Sequence, residues 1–446
     1  MHRAGSQSRG PVRFHIMSTL SDTPPDKTGP LSKSEARLAY LMILPTLLIV
    51  LSIVLLPLFA NFWISFKPVE LGDLRAPSVR ANERLKPMPE NVGSTSEISY
   101  RLRNSSQKKS ITNVVLTDDL PSGLALVEGY DNRCRFQSDV LTCELGDYEP
   151  GYRDTLTLPV IAEQAFIDNP VNPRDSKPVL EGNADNILTN TEFSLENFRK
   201  IFSAGEFWLV LRTSIYYTVF GTLGALVFGL FAAQLLSSTF PGRGVLRGFF
   251  LFPYIAPVIA VAFAWVLLLD AGPGGTLNAI LIKIGATDGP INFLGRRSIP
   301  FEFFGLTIKF PVALTTVITF EVWRYFPLSF LFILARMQSL SSETYEAAEM
   351  DGATPQQQFW YISLPQLAGI LAVLFLLRFI WTFNKFDDIF LLTGGAAGTR
   401  TLTVDVYEQA FAVSNLGAGA AVAVVVFFVL LISALLFFKF SPKDEG

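Results

Sequence analysis

From Leu38 to Phe66 the chain reads "LAYLMILPTLLIVLSIVLLPLFANFWISF", with no charged side chain. A bilayer core takes about 20 apolar residues of helix, and inside it every backbone N–H and C=O must be satisfied within the protein. The run is therefore expected to cross a membrane as a helix. It exceeds the roughly 7–15 residues of a signal-peptide core and no A-x-A-like cleavage site follows, so it reads as retained. Five further runs have spanning length, at about 213–238, 248–269, 310–334, 368–392 and 418–438. Six such helices, 38–66 included, define an all-α polytopic membrane protein. The composition agrees, since 50% of the 446 residues are hydrophobic and only 17% are charged.

Basic residues set the orientation. Arg3, Arg9, Arg13, Lys27, Lys33 and Arg37 precede the first run, Arg243 and Arg247 follow the second, and Lys439 and Lys443 follow the last. Positive charge stays on the cytoplasmic side, so both termini are expected there. Residues 1–37, with Pro24, Pro25 and Pro30, read as a flexible cytoplasmic tail in which Met17 is a second candidate start, and 441–446 as a short closing tail. Residues 67–196 then fall outside, a polar block too long for a helix connection and hence an extracytoplasmic insertion. Its texture is β: Ile98, Tyr100 and Leu102 alternate with polar neighbours, and Pro and Gly turns punctuate runs that end near "RDTLTLPVIAE". An antiparallel sandwich over about 93–162 is expected.

Several function classes are excluded. A net charge of −3 gives no reason to expect a nucleic-acid partner. His2 and His15, both in the tail, are the only histidines, which leaves no material for a Ser-His-Asp triad or a His-based metal site, and no catalytic residue is assigned. Cys134 and Cys143 are too far apart for a CxxC motif and lack two more thiolates for zinc. They are a disulfide or two inert thiols, and an outer location favours the disulfide. No GxxxxGK[ST] loop occurs, so no nucleotide cofactor is expected in this chain, and any ATP-driven process would need another chain to bind the nucleotide.

One stretch stands apart. "YEAAEMDGATPQQQFWYISLP", Tyr345 to Pro365, is polar and Gly-broken, yet Ser341 to Pro365 contains no Lys or Arg. Glu346 to Met350 favours helix, Gly352 permits positive φ, and Pro355 suits the first turn of a second helix. Two short helices at an angle are expected. Amphipathic connectors lying on a membrane are usually rich in Lys and Arg, so this segment suits docking into a protein groove instead.

The motif Glu346-Ala347-Ala348, then Gly352, then Ile362-x-Leu364-Pro365 resembles the signature loop of permease subunits of bacterial ATP-driven (ABC) importers. The stretches "FSLENFRKIF", "FLFPYIAPVIAVAFAW", "VWRYFPLSF", "FDDIFLLTGG" and "TVDVYEQAF" extend the resemblance over 197–440, in the carbohydrate-uptake branch that includes maltose and glycerol-phosphate permeases. "LTGGAAGTRT" departs from that branch in lacking a Pro after the glycines. The resemblance implies a type I importer permease core, with 341–365 as a cytoplasmic coupling loop in which Glu346, Ala347, Asp351 and Gly352 engage an ATPase. It also implies a second permease chain, two ATPase subunits carrying ATP and Mg, an extracytoplasmic solute-binding protein and a sugar substrate, all within the lipid of a bacterial inner membrane. Residues 93–162, with "VVLTDDLPSGL" and "CELGDYEPGYRDTLTLPV", resemble immunoglobulin-like modules of bacterial surface proteins, in which Cys134 and Cys143 would staple one hairpin.

Ionisable residues at membrane depth cost about 2.5–3.5 kcal/mol each on insertion scales and usually face a cavity or one another. Glu321 and Arg324, three apart, are expected to share a helix face and to be able to pair; Arg378 and Lys385 lie nearly on one face of the next helix. Positions matching the sugar-holding set of the maltose permease are Glu321, Arg324, Tyr325 and Leu328, with Trp381, Thr382 and Lys385. These charges act either on cargo or only on each other. A second reading, a membrane-anchored adhesion or sensor protein working through its outer module, would need one span, not six.

Overall fold

The computed structural model describes residues 30–127, 129–137, 140–171, 177–303 and 306–440. The tail before residue 30 and the segment 441–446 lie outside the described residues. The chain divides into two compact units, Met1–Phe59 and Ala60–Gly446. Among the described residues five helices are long and apolar enough to cross a membrane, or six if one bent pair counts as a span.

The first helix, α1, is continuous through Pro30–Ile49, a π-helical turn at Val50–Leu55 and Leu56–Ser65, so residues 30–37 of the expected tail are helical; its spanning stretch is Arg37–Ser65. A β domain follows. β1 (Val79–Lys86), β2 (Thr95–Asn104), β7 (Arg153–Ala162) and β4 (Leu124–Leu126) form one antiparallel sheet in the order β1-β2-β7-β4. β5 (Cys134–Gln137), β6 (Val140–Tyr148), β3 (Ile111–Asp119) and β8 (Val179–Asn183) form the second, ordered β5-β6-β3-β8. Side chains from both sheets, among them Ile98, Leu102 and Leu158 from one and Ile111, Leu116 and Leu141 from the other, share one core. The Tyr100 hydroxyl donates to Asp118 across the sheets at 2.6 Å, and burial followed by this bond raises it well above the usual phenol range. Cys134 and Cys143 face each other on β5 and β6 and are disulfide-bonded.

The sandwich thus extends over 79–183 and is wider than 93–162. Two of its edge strands, β1 and β8, fall outside that range, because edges face water on one side and carry little apolar alternation, as "VRANERLK" shows.

The helices that frame the site are α2 (Phe207–Ser237), α3 (Arg243–Ile255), α4 (Val258–Leu268), α5 (Val312–Gln338), α6 (Ser342–Met350), α7 (Pro355–Phe383), α8 (Asp387–Thr393) and α9 (Leu416–Phe440), with further short helices at Gln164–Asp168, Glu196–Ser203, Thr276–Lys283 and Leu402–Tyr407. Three differ from expectation. The 248–269 run is not a straight span: α3 and α4 meet at 92°, because Pro257 holds Ala256 extended at ψ 141° and cannot continue the hydrogen-bond ladder. The 368–392 run ends at Phe383, and α8 is separate from it. The second helix of the 341–365 loop is not an isolated piece; it enters α7 through a π-helical turn at Phe359–Ser363.

The segment joining α1 to the β domain is sewn to the short helix Glu196–Ser203 and to the base of α9. Asn197 Nδ2 donates to the carbonyls of Ser65 (3.0 Å) and Lys67 (2.8 Å), and Gly417 N donates to Val69 O (2.9 Å). The fully buried Lys67 ammonium donates to Ile187 O at 3.0 Å and to Asn190 Oδ1 at 2.6 Å, 5.0 Å from the ring centres of Trp63 and Phe193. A Cβ on Gly417 would stand 2.2 Å from Lys67 O, a backbone atom that cannot swing aside. Gly417→Ala is expected to destabilise the chain by about 1–3 kcal/mol through overpacking. An unchanged melting temperature of the detergent-purified variant would contradict this.

Candidate functional site

The site begins with glycines. A Cβ on Gly221 would come within 2.9 Å of Glu321 Cγ, and one on Gly229 within 2.6 Å of Ser329 Cβ. Contacts that advance together along both helices make α2 and α5 parallel neighbours, and the missing side chain at Gly221 leaves room for a carboxylate between them.

That carboxylate, Glu321, is completely buried. Its Oε1 accepts from Arg378 Nη2 at 2.5 Å and from Thr382 Oγ1 at 2.9 Å, and its Oε2 accepts from Tyr217 at 3.0 Å. One acid therefore ties α2, α5 and α7 together. Its ion-pair partner is Arg378, not Arg324. The sequence expectation paired residues on one helix face, whereas the interhelical partner brings Thr382 with it from one turn further along α7.

Arg324 is directed elsewhere. It donates to Ala256 O at the α3–α4 bend (3.2 Å) and to the Tyr325 hydroxyl (3.3 Å), and lies 3.9 Å from Asp388. Lys385 donates to the Tyr325 hydroxyl and stands 3.7 Å from Asp388 and 3.8 Å from Asp387. The Tyr325 ring is flanked by Lys385 at 4.2 Å and Arg378 at 4.5 Å. Three cations thus stand beside three carboxyl groups, whose formal charges can offset theirs, as low-polarity surroundings favour.

Beside this cluster opens a cavity of about 660 Å³. Arg324, Tyr325, Leu328, Trp381 and Lys385 line it, whereas Glu321 and Thr382 do not; those two are buried. Tyr254, Arg378, Asn384 and Asp387 also contribute to the wall. Tyr254, by its place in an apolar run expected to serve helix packing or lipid contact, lines the cavity instead, next to the bend at Ala256 that a periodicity argument cannot show. Asp387 and Asp388, expected within the continuous 368–392 run, instead open the separate helix α8. Chemically the wall offers aromatic faces at Tyr254 and Trp381, the Asn384 amide and the half-exposed Asp387 carboxylate. These groups suit a ligand with both hydroxyls and apolar ring faces.

A second candidate region lies beyond the C-terminal end of α5. Glu346, Ala347, Asp351 and Gly352 are all exposed, and Gly352 turns the chain at φ +80° between α6 and α7. Thr354 and Gln357 form a reciprocal capping box with Pro355 at the first helical position. The Tyr345 hydroxyl meets Ser363 Oγ at 2.9 Å, which links α6 to the π-helical turn of α7.

Residues 225–443 match the family described as "Binding-protein-dependent transport system inner membrane component". The chain is 32% identical over 276 residues to the inner membrane ABC transporter permease protein YcjO of Escherichia coli K12, covering 61% of this chain and 84% of that protein. It is 31% identical over 247 residues to the trehalose/maltose transport system permease protein MalF of Thermococcus litoralis, covering 55% of this chain and 78% of that one. A bacterial alginate ABC importer of known structure superposes with a TM-score of 0.48 at 19% identity, covering 57% of this chain and 86% of that chain. The chain belongs to the family of binding-protein-dependent transport system inner membrane components.

Proposed function

We propose that the protein is the transmembrane subunit of an ATP-driven importer that carries a sugar or sugar derivative into the cytoplasm by alternating access. The observation that carries this reading is the cavity walled by Tyr254, Tyr325, Trp381, Asn384 and Asp387, beside cations that each have a carboxyl group within ion-pair distance. A neutral polyol needs such groups more than it needs a net charge. The trehalose/maltose role of the Thermococcus relative supports the same cargo class.

In this reading Arg324, Tyr325, Leu328, Trp381 and Lys385 contact cargo, and Glu321 and Thr382 hold the helices that carry them. Both termini and Ser341–Pro365 are cytoplasmic, and the β domain, of immunoglobulin-like kind, is extracytoplasmic. A second permease chain completes the pathway and a solute-binding protein delivers cargo. Two ATPase subunits bind ATP and Mg, since this chain supplies no phosphate loop; their closure pulls on Glu346, Ala347, Asp351 and Gly352, and the cavity changes the side to which it opens.

The test is ATP hydrolysis by the co-purified complex across a panel of neutral, acidic and phosphorylated sugars. At least one sugar should stimulate it, and Trp381→Ala should raise the concentration needed by up to about tenfold by removing a stacking face. Purification without any ATPase subunit, or indifference to every sugar, would sink the proposal.

A further inference from the structure

We propose that the groove between the N-terminal ends of α2 and α5 is a binding site for an anionic phospholipid. The groove holds about 580 Å³ and lies in the wall of the helical core, at the end opposite the Ser341–Pro365 loop. Three cations, Arg212, Arg297 and Lys309, line it, and among the described residues no carboxylate does. All three are exposed, and none of their side chains has an ion pair or hydrogen-bond partner among the described residues. The contrast with the other cavity is sharp, since there each cation has a carboxylate within 4 Å.

The position of Arg297 is set by Gly398. A Cβ there would come 3.1 Å from Arg297 Cγ, so the bare backbone lets the side chain lie across it. Below the cations the wall turns apolar: Tyr216 and Phe220 follow Arg212 on one face of α2, opposite Leu314 and Ile318 of α5. Eight residues of helix carry the wall about 12 Å from charge to ring. The exposed stripe then continues at helical spacing through Leu223, Val227 and Phe231. A cationic head above a long apolar track complements a phosphate joined to acyl chains. A free anion would have no use for the track. The positive ends of the α2 and α5 dipoles, at the same level, add to the attraction.

The test uses the full chain purified from mixed micelles of phosphatidylglycerol and phosphatidylcholine in equal amounts, with retained lipid counted by mass spectrometry. Wild type should retain phosphatidylglycerol in several-fold excess. Arg212→Gln/Arg297→Gln/Lys309→Gln should fall to the bulk ratio, each charge being worth up to about fivefold. Arg297→Lys should keep the excess, as should Arg80→Gln/Arg101→Gln/Arg103→Gln on the β domain. Millimolar inorganic phosphate should leave the wild-type excess unchanged. Equal enrichment in the triple variant would overturn the proposal. So would displacement by inorganic phosphate, which would mark a free-anion site, or loss of the excess when a second transmembrane subunit co-purifies, which would mark a protein contact.

Discussion

Glu321→Ala is expected to be among the most damaging single substitutions in this chain. It strands Arg378, which is 1% exposed and has Glu321 as its ion-pair partner. The nearby Asp388 carboxylate is already engaged by Arg324 and Lys385. Removing one partner of a buried pair costs about 3–5 kcal/mol, because the remaining charge keeps its desolvation penalty. The loss reaches further than one bond, since Tyr217 and Thr382 lose the same acceptor and three helices lose their common tie. Yield of folded protein and melting temperature should both drop steeply. Glu321→Leu with Arg378→Met removes both charges at similar volume and should recover most of the stability. If the double variant is no better than the single, the electrostatic account fails. The recovered double variant also separates roles: with its fold intact, any remaining loss of transport reflects cargo handling.

How much of this was legible beforehand differs from element to element. Long uncharged runs such as 38–66 and 418–438 declared themselves because lipid allows little but helix. The bend at Pro257 did not, since "FPYIAPVIAVAFAW" is uniformly apolar and periodicity carries no information about direction. Strands β2 and β7 alternate cleanly, being central in their sheet, whereas β1 and β8 lie at edges and fell outside the expected domain. In the site, residue types pointed to α5 and α7, but the choice between Arg324 and Arg378 as partner of Glu321 depends on the rotation of two helices about each other. Packing of α2 on α5 through Gly221 and Gly229 leaves room for the carboxylate between them, and local sequence spacing is silent about which helix then supplies its partner. The groove beneath Arg212, Arg297 and Lys309 was equally hidden, because three segments far apart in sequence build it.

Gly352→Pro should abolish transport while leaving the membrane core assembled. Gly352 sits at φ +80°, and a Cβ there would touch nothing within 4 Å, so the constraint is conformational and not steric crowding. Proline fixes φ near about −65° and therefore cannot adopt this turn. The chain must leave α6 in a new direction, moving Glu346 and Ala347 relative to α7 and straining the Tyr345–Ser363 bond at its π-helical turn. Because these residues are exposed, the damage should stay outside the buried clusters and the melting temperature should shift far less than for Glu321→Ala. Gly352→Ala should be milder, costing on the order of 1–2 kcal/mol for left-handed backbone, and should retain partial uptake. The readouts are uptake into vesicles and ATP hydrolysis by the same reconstituted complex. Uptake lost with hydrolysis retained would place the defect in the mechanical link, and loss of the ATPase subunits on purification would place it in docking. Normal ATP-driven uptake by Gly352→Pro would show that the turn between α6 and α7 transmits nothing.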